Sequence, residues 1–119
     1  MGYITYINNG EGMKYVKDKH YKRVKCADGF SVSIQAGADK YCHPRSTEEG
    51  TQYTELELGF PSSSDDIIKQ YAENEKDLTG TVYGYVPVDD IYLLLLAHGG
   101  PTEGEVPQGV PVYGGVSYG

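Results

Sequence analysis

Alternating apolar and polar residues predict several short β-strands in this chain. The clearest runs from Phe30 to Ala36, where every second residue is apolar, as in a strand with one face on a core. The turn pair Asp28 and Gly29 precedes it, so we expect an antiparallel hairpin with a strand at Tyr21 to Cys26. Further strands are predicted at Tyr3 to Ile7, Tyr15 to Val16, Gln52 to Leu58 and Thr81 to Val86.

Two segments have the pattern of helices. The first runs from Ser62 to about Lys76, because hydroxyl residues and then two aspartates suit the amino end of a helix. The second runs from Val88 to His98 and is closed by Gly99 and Gly100. The predicted fold is therefore α+β: a mostly antiparallel sheet of four to five strands with two helices packed on one face.

The length of 119 residues suits one domain with one core. We place that domain at residues 1–100. Residues 101–119 alternate Gly, Pro, Val and Tyr and predict an extended tail. The tail is either a flexible terminus or an arm that adds to a neighbouring subunit.

The second helix contains four consecutive leucines, which leave almost no polar face. A helix that is apolar all round is either central or packed on another chain. A homo-oligomer, a dimer or larger, is therefore expected. Its interface residues would be Leu93, Leu94, Leu96, Val112 and Tyr113.

Charge is distributed unevenly along the chain. Residues 1–45 hold eight Lys or Arg against four acids, whereas residues 46–119 hold two against thirteen. The net charge of −7 argues against nucleic acid or an anionic membrane as a main ligand and favours a partner with a basic surface. The carboxylates expected to face that partner are Glu55, Glu57, Asp65, Asp66, Asp89 and Asp90.

No residue set matches a complete catalytic or metal motif. The ligand types are present in His20, Cys26, Cys42 and His43, but without the spacing of a zinc site. Neighbours such as Cys42 and His43 project apart in an extended loop, which argues against a nucleophile and its base. We therefore predict a non-enzymatic protein with no metal and no cofactor.

The chain has twelve Tyr, two Phe and no Trp. Tyrosines are either strand residues with wet hydroxyls or the contact residues of a binding surface. The most suggestive set joins a loop at Gly37 to Gly50 with the strand that follows the first helix. Its members, the predicted ligand or partner site, are Tyr41, His43, Arg45, Tyr83 and Tyr85. Alternatively, Arg45 pairs with Glu48 or Glu49 and the tyrosines are sheet surface.

Neither a signal peptide nor an apolar run long enough to span a membrane is recognisable, which favours the cytoplasm. In that compartment the two cysteines are expected to be free thiols.

Several motifs resemble those of small proteins found in bacteriophages and their prophages. The shared motifs, spread over about residues 28–100, are Asp28 to Ala36, Tyr41 to Arg45, Glu57 to Ser62, Thr81 to Pro87 and His98 to Gly100. The resemblance carries over no catalytic residue and implies a viral accessory protein that acts in the host bacterial cytoplasm.

Such accessory proteins often block host defence, for example by occupying a groove on a CRISPR effector or by trapping a signalling nucleotide. The resemblance and the acidic charge together predict an inhibitor that binds a basic host surface. The first alternative is a sponge for a small nucleotide at a subunit interface. The second is a virion or assembly component that uses the carboxyl-terminal arm.

Overall fold

The computed structural model describes residues 4–8, 13–17 and 19–111. Its strands form a two-stranded sheet and a five-stranded sheet. The elements in chain order are β1 (Ile4–Asn8), β2 (Met13–Lys17), β3 (Val24–Cys26), β4 (Ser31–Gln35), β5 (Glu55–Gly59), β6 (Val82–Pro87), α1 (Val88–Ala97) and β7 (Pro101–Glu103). The larger sheet has the order β6-β5-β4-β3-β7 and every neighbouring pair is antiparallel. The predicted α+β class with a mostly antiparallel sheet of four to five strands is confirmed.

The hairpin of β3 and β4 forms as predicted. Its turn closes because the Asp28 carboxylate accepts the backbone N–H of Phe30 at 2.9 Å and the Gly29 N–H donates to the Cys26 carbonyl. Apolar residues of both strands point to one side and are buried, as the alternation requires. The amino-terminal strands β1 and β2 also pair antiparallel, with Ile4 opposite Lys17.

The helix α1 covers the apolar face of the sheet. Ile91, Leu94 and Leu95 are fully buried in the same cluster as the inward residues of the strands. The helix ends at Ala97 and is followed by Gly99 and Gly100, whose φ angles of +88° and +86° let their N–H groups donate back to carbonyls of the last turn. This end follows the prediction closely.

The helix predicted from Ser62 to Lys76 is wrong. The segment forms local turns and one short 3₁₀ helix, Lys69–Tyr71, after which Ala72 is extended and bridges to β6. The cause is the polar start of the segment, since the Asp65 side chain accepts the N–H of Ile67 and makes a turn of it. Only Ile68 is fully buried here, which is too little apolar contact to hold a helix. The described chain therefore has one α-helix where two were predicted.

The first half of the predicted tail belongs to the domain. Strand β7 pairs with β3 at the edge of the sheet, and Val106 and Val110 are buried in the core. The domain boundary predicted at residue 100 therefore does not hold for residues 101–110. Acids of this segment also neutralise the basic region near β3, through Lys19 with Glu105 and Lys25 with Glu103.

Candidate functional site

The loop at residues 37–50 is held against the sheet by backbone hydrogen bonds. The His43 N–H donates to the Glu55 carbonyl at 2.9 Å, and the His43 carbonyl accepts the Thr54 N–H at 2.8 Å. Further along the sheet, the Tyr41 N–H donates to the Glu57 carboxylate at 3.0 Å. The loop thus lies on the polar face of the sheet in a fixed position.

A bulge in β6 separates the two tyrosines that the alternation placed together. Leu56 pairs with Val86 and Leu58 pairs with Tyr83, so β6 uses three residues where β5 uses two. Tyr85 takes up the extra residue with a φ of +54°. As a result Tyr83 points into the core with no exposed surface, while Tyr85 is 42% exposed on the opposite side.

Three of the five predicted site residues meet on the surface. We call Tyr41, Arg45 and Tyr85 the Tyr–Arg patch. The two rings lie 6.0 Å apart at 36°, and the Arg45 Cζ atom lies 5.6 Å from the Tyr41 ring and 5.8 Å from the Tyr85 ring. Arg45 donates to the Tyr85 hydroxyl at 2.5 Å, and the Tyr85 N–H donates to the Tyr41 carbonyl at 2.9 Å. The patch is therefore a nearly equilateral triangle tied together by hydrogen bonds.

The guanidinium of the patch keeps most of its donors. Among residues 4–8, 13–17 and 19–111, no carboxylate lies within ion-pair distance of Arg45, so the alternative pairing with Glu48 or Glu49 is not formed there. One of its five N–H groups is used by Tyr85. The others can fork onto a carboxylate or phosphate beside rings that can stack.

The other two predicted members do not join the patch. Tyr83 is buried, and its hydroxyl donates to the Leu78 carbonyl at 2.6 Å. Tyr83 therefore cannot contact a ligand, which corrects the sequence prediction. His43 is exposed in the same loop and contributes through its backbone.

Half of the predicted acidic surface is used inside the protein. Glu57 accepts the Tyr41 N–H, Asp65 contacts His98, and Asp90 accepts the Tyr71 hydroxyl at 2.5 Å. The hydrogen bond to Asp90 and burial raise the pKa of Tyr71 to about 12. The remaining members differ in accessibility: Glu55 is half-buried, whereas Asp66 and Asp89 are exposed.

The predicted oligomer residues also divide. Leu94 is fully buried in the core of its own chain and is not available to a partner, which corrects that member of the set. Leu93 and Leu96 are exposed at 49% and 50%. Val112 and Tyr113 lie outside the described residues.

A carboxylate–imidazole cluster was not anticipated from the sequence. His98 Nδ1 lies 2.7 Å from Asp28 Oδ2, and its Nε2 lies 2.7 Å from Asp65 Oδ2. The imidazole also stacks on Phe30 with ring centres 3.9 Å apart. Three segments far apart in sequence thus meet at one side chain, and no local pattern could have signalled it.

A protonated imidazole suits this cluster, because each of its two ring N–H groups can donate to a carboxylate oxygen. Burial works to lower the pKa of His98, but the hydrogen bonds to Asp28 and Asp65 outweigh it and raise the pKa above 6.5. The pKa of Asp28 is lowered in turn, chiefly by the Phe30 N–H and then by His98. The cluster is a structural clasp between the β3–β4 turn, the turn at Asp65 and the end of α1.

Both cysteines are buried free thiols. Burial and then the nearby Asp28 carboxylate raise the pKa of Cys26 to about 11, which keeps the thiol protonated. The Cys42 Sγ lies 3.2 Å from the Gly37 carbonyl inside the protein, while His43 next to it is exposed. The two side chains therefore face different environments, as their adjacency predicted.

A separate cavity of about 590 Å³ opens beside the segment at residues 47–51. Its lining includes Lys19, Tyr21 and Tyr53 together with the carboxylates Glu48 and Glu49. No residue of the Tyr–Arg patch lines it. The patch is thus a surface feature and the cavity is a distinct one.

Within the described ranges, no group of three or more His, Cys, Asp or Glu is placed to hold a metal ion. None of the helices in those ranges is long and apolar enough to cross a membrane. The chain matches no family model, no curated protein and no solved structure.

Proposed function

We propose that this protein is a non-enzymatic binding module that docks on a host protein and inhibits it, with the Tyr–Arg patch as the anchor of the interface. The observation that carries the proposal is the triangle of Tyr41, Arg45 and Tyr85. The phage setting and a host defence factor as target come from the motif resemblance. Both are parts of the proposal.

Residue type and exposure of the patch support docking. Tyrosine and arginine are over-represented among the few residues that dominate protein interfaces. Here two rings that are about 40% exposed flank a guanidinium with unused donors. A backbone hydrogen bond joins Tyr41 to Tyr85, and the bond from Arg45 to the Tyr85 hydroxyl orients those two side chains, so less conformational entropy is lost on binding.

Charge supports a partner that carries basic groups near the contact. The net charge is −7, and Glu48 and Glu49 follow Arg45 in the same loop with exposed carboxylates. These two join Asp66 and Asp89 as candidate partner-facing acids, in place of the internally used Glu57, Asp65 and Asp90. A partner with an acid for Arg45 and a basic rim for the glutamates fits this arrangement best.

Affinity capture tests the proposal. Tagged wild-type protein, the Arg45→Ala variant and the Arg23→Ala variant are incubated with host-cell extract, and bound proteins are quantified. Arg23 is exposed and hydrogen-bonds away from the patch, to Ser31 and Phe60, which makes it a matched charge control. The affinity for a partner that the wild-type protein retains should fall about thirtyfold with Arg45→Ala, as for an interface hot spot.

The salt dependence and the controls decide the outcome. Binding of the purified partner should weaken as ionic strength rises from 50 to 500 mM, because exposed charges are screened. If Arg23→Ala weakens binding of the partner as much as Arg45→Ala does, or if Arg45→Ala binds like wild type, the patch is not the anchor of the interface. A salt-independent affinity would remove the charged partner surface.

Capture of a small nucleotide is the second candidate, favoured by the unused Arg45 donors beside two rings. A phosphate would accept from the guanidinium while a base stacks on Tyr41 or Tyr85. Thermal unfolding with a panel of mono- and cyclic nucleotides tests it, because a ligand that binds only the folded state raises the Tm. An unchanged Tm at millimolar nucleotide rejects this candidate and leaves protein docking standing.

A further inference from the structure

The cavity beside residues 47–51 has the volume of a small-molecule site. Its volume of about 590 Å³ lies within the usual range for ligand pockets. Its wall is held in place, because the Tyr53 hydroxyl donates to the Ser46 carbonyl at 2.6 Å and Thr51 donates to the Glu48 carbonyl at 2.7 Å. The cavity is therefore present before a ligand binds.

The lining combines rings with an excess of negative charge. Tyr21, Ala36 and Tyr53 supply aromatic and apolar surface. Glu48 and Glu49 are exposed, and neither carboxylate forms an ion pair or accepts a hydrogen bond within the part of the chain that the structure describes. The cation in the lining, Lys19, is already paired with Glu105 at 3.6 Å. The charge left to a ligand is that of the two glutamates.

One wall already holds a cation on an aromatic face. The Lys19 ammonium lies 4.6 Å from the centre of the Tyr21 ring. A ring attracts cations through the negative potential of its face, whichever molecule supplies them. The contact shows that a tyrosine of the lining presents its face to an ammonium group.

We infer that this cavity binds an alkylammonium or alkylguanidinium group, with the stem on the rings and the cationic head at Glu48 and Glu49. The source is a lysine or arginine side chain of the docked protein. That source rests on the proposed function, whereas the chemistry of the cavity does not.

NMR titration of the ¹⁵N-labelled protein tests the chemistry. The probes are n-butylammonium, the neutral 1-butanol and the anionic butyrate, which share one stem. Butylammonium should give saturable amide shifts confined to the lining of the cavity, including residues 47–51, Tyr21 and Tyr53. Absence of those shifts, or equal shifts with butanol, would overturn the inference.

A pair of variants with the same change in net charge supplies the control. Glu48→Gln with Glu49→Gln should weaken butylammonium roughly tenfold, the order expected for removing two unit charges about 6 Å away in a water-like dielectric. Glu73→Gln with Glu75→Gln, on an exposed turn outside the lining, should leave the affinity unchanged. Equal weakening by both pairs would show that only net charge matters and would overturn the site.

Two further probes separate the sources of the cation. Nα-acetyl-lysine amide should shift the same amides, as a side chain on a protein would. If spermidine shifts them and the lysine derivative does not, the protein source is wrong. The Arg45→Ala variant should titrate like wild type, because Arg45 does not line the cavity. A failure of the docking proposal is thus distinguishable from a failure of this one.

Discussion

Replacing His98 with Phe should destabilise the protein in a pH-dependent way. The imidazole stacks on Phe30 and contacts carboxylates on both sides, at 2.7 Å each. A phenyl ring keeps the stacking and removes both N–H donors. The His98→Phe variant therefore isolates the ionic part of the carboxylate–imidazole cluster.

The expected loss comes mainly from Asp65. The side chains of His98 and Asp65 are only 17% and 16% exposed, so their bond is worth about 2 kcal/mol of the free energy of unfolding, as for hydrogen bonds between charged groups. Asp28 is half exposed, and its bond adds little because solvent screens it. For a chain of this size, about 2 kcal/mol corresponds to a fall in Tm of about 8 °C.

The sign of the pH dependence follows from the direction of the shift. Because the pKa of His98 is raised above 6.5 in the folded protein, its contribution is complete below pH 6.5 and is lost as pH rises through the folded value. The lowered pKa of Asp28 acts at the other end, since that contribution is lost as pH falls below 3.8. The difference between wild type and His98→Phe should therefore be largest near pH 5.5 and shrink toward pH 9.

Urea unfolding followed by circular dichroism from pH 5.5 to 9 measures this difference. Other groups titrate in the same range, but they cancel when wild type and variant are compared at each pH. His20→Phe, at an exposed histidine, is the control and should stay within about 0.5 kcal/mol of wild type. A loss below about 0.5 kcal/mol with His98→Phe at pH 5.5, or one that is constant with pH, would refute the clasp.

Three further predictions concern the core and its turns. Tyr83→Phe should lower the free energy of unfolding by about 1 kcal/mol in urea, since it removes a buried hydrogen bond of 2.6 Å; a neutral effect contradicts this. Gly109→Ala should cost more than Gly29→Ala by at least about 2 kcal/mol of the free energy of unfolding, because its Cβ would clash with the Tyr53 carbonyl oxygen whereas that of Gly29 meets open space; equal Tm values would refute it. Because burial raises the pKa of Cys26 to about 11, its thiol should react with iodoacetamide at pH 8 only when urea unfolds the chain. Fast labelling of Cys26 in the folded protein would contradict this, since it would show an accessible thiol.

The central hairpin was predictable because its signals are local. Alternation over Phe30 to Ala36 fixes which side is buried, and Asp28 makes the turn through its own side chain. The second helix was predictable for the same reason, since its glycines and its apolar run lie within one segment. Local chemistry and burial agree in both places.

The helix prediction for Ser62 to Lys76 was wrong because local signals compete in that segment. Serine and aspartate start helices, but the same side chains also stabilise isolated turns. The turn forms because only Ile68 is fully buried in the core, while Ala72 pairs with strand β6. Which outcome prevails depends on the neighbouring strand, and the segment itself does not encode that.

The candidate site was predicted in part. The loop sequence and the late strand correctly brought Tyr41, Arg45 and Tyr85 together, but strict alternation placed Tyr83 with them. Gly84 between the two tyrosines was the signal for a bulge, because a glycine inside a strand often marks one. The clasp at His98 had no such signal, since its partners lie 70 and 33 residues away.

The bulge in β6 makes the spacing between neighbouring tyrosines critical. With the extra residue, one ring anchors the core and the next faces the solvent. If the same residues formed a regular strand without the bulge, Tyr83 and Tyr85 would lie two positions apart and point to the same side of the sheet. The surface triangle therefore depends on the bulge, and homologous chains that keep the triangle should also keep the irregular pairing between Tyr83 and Val86.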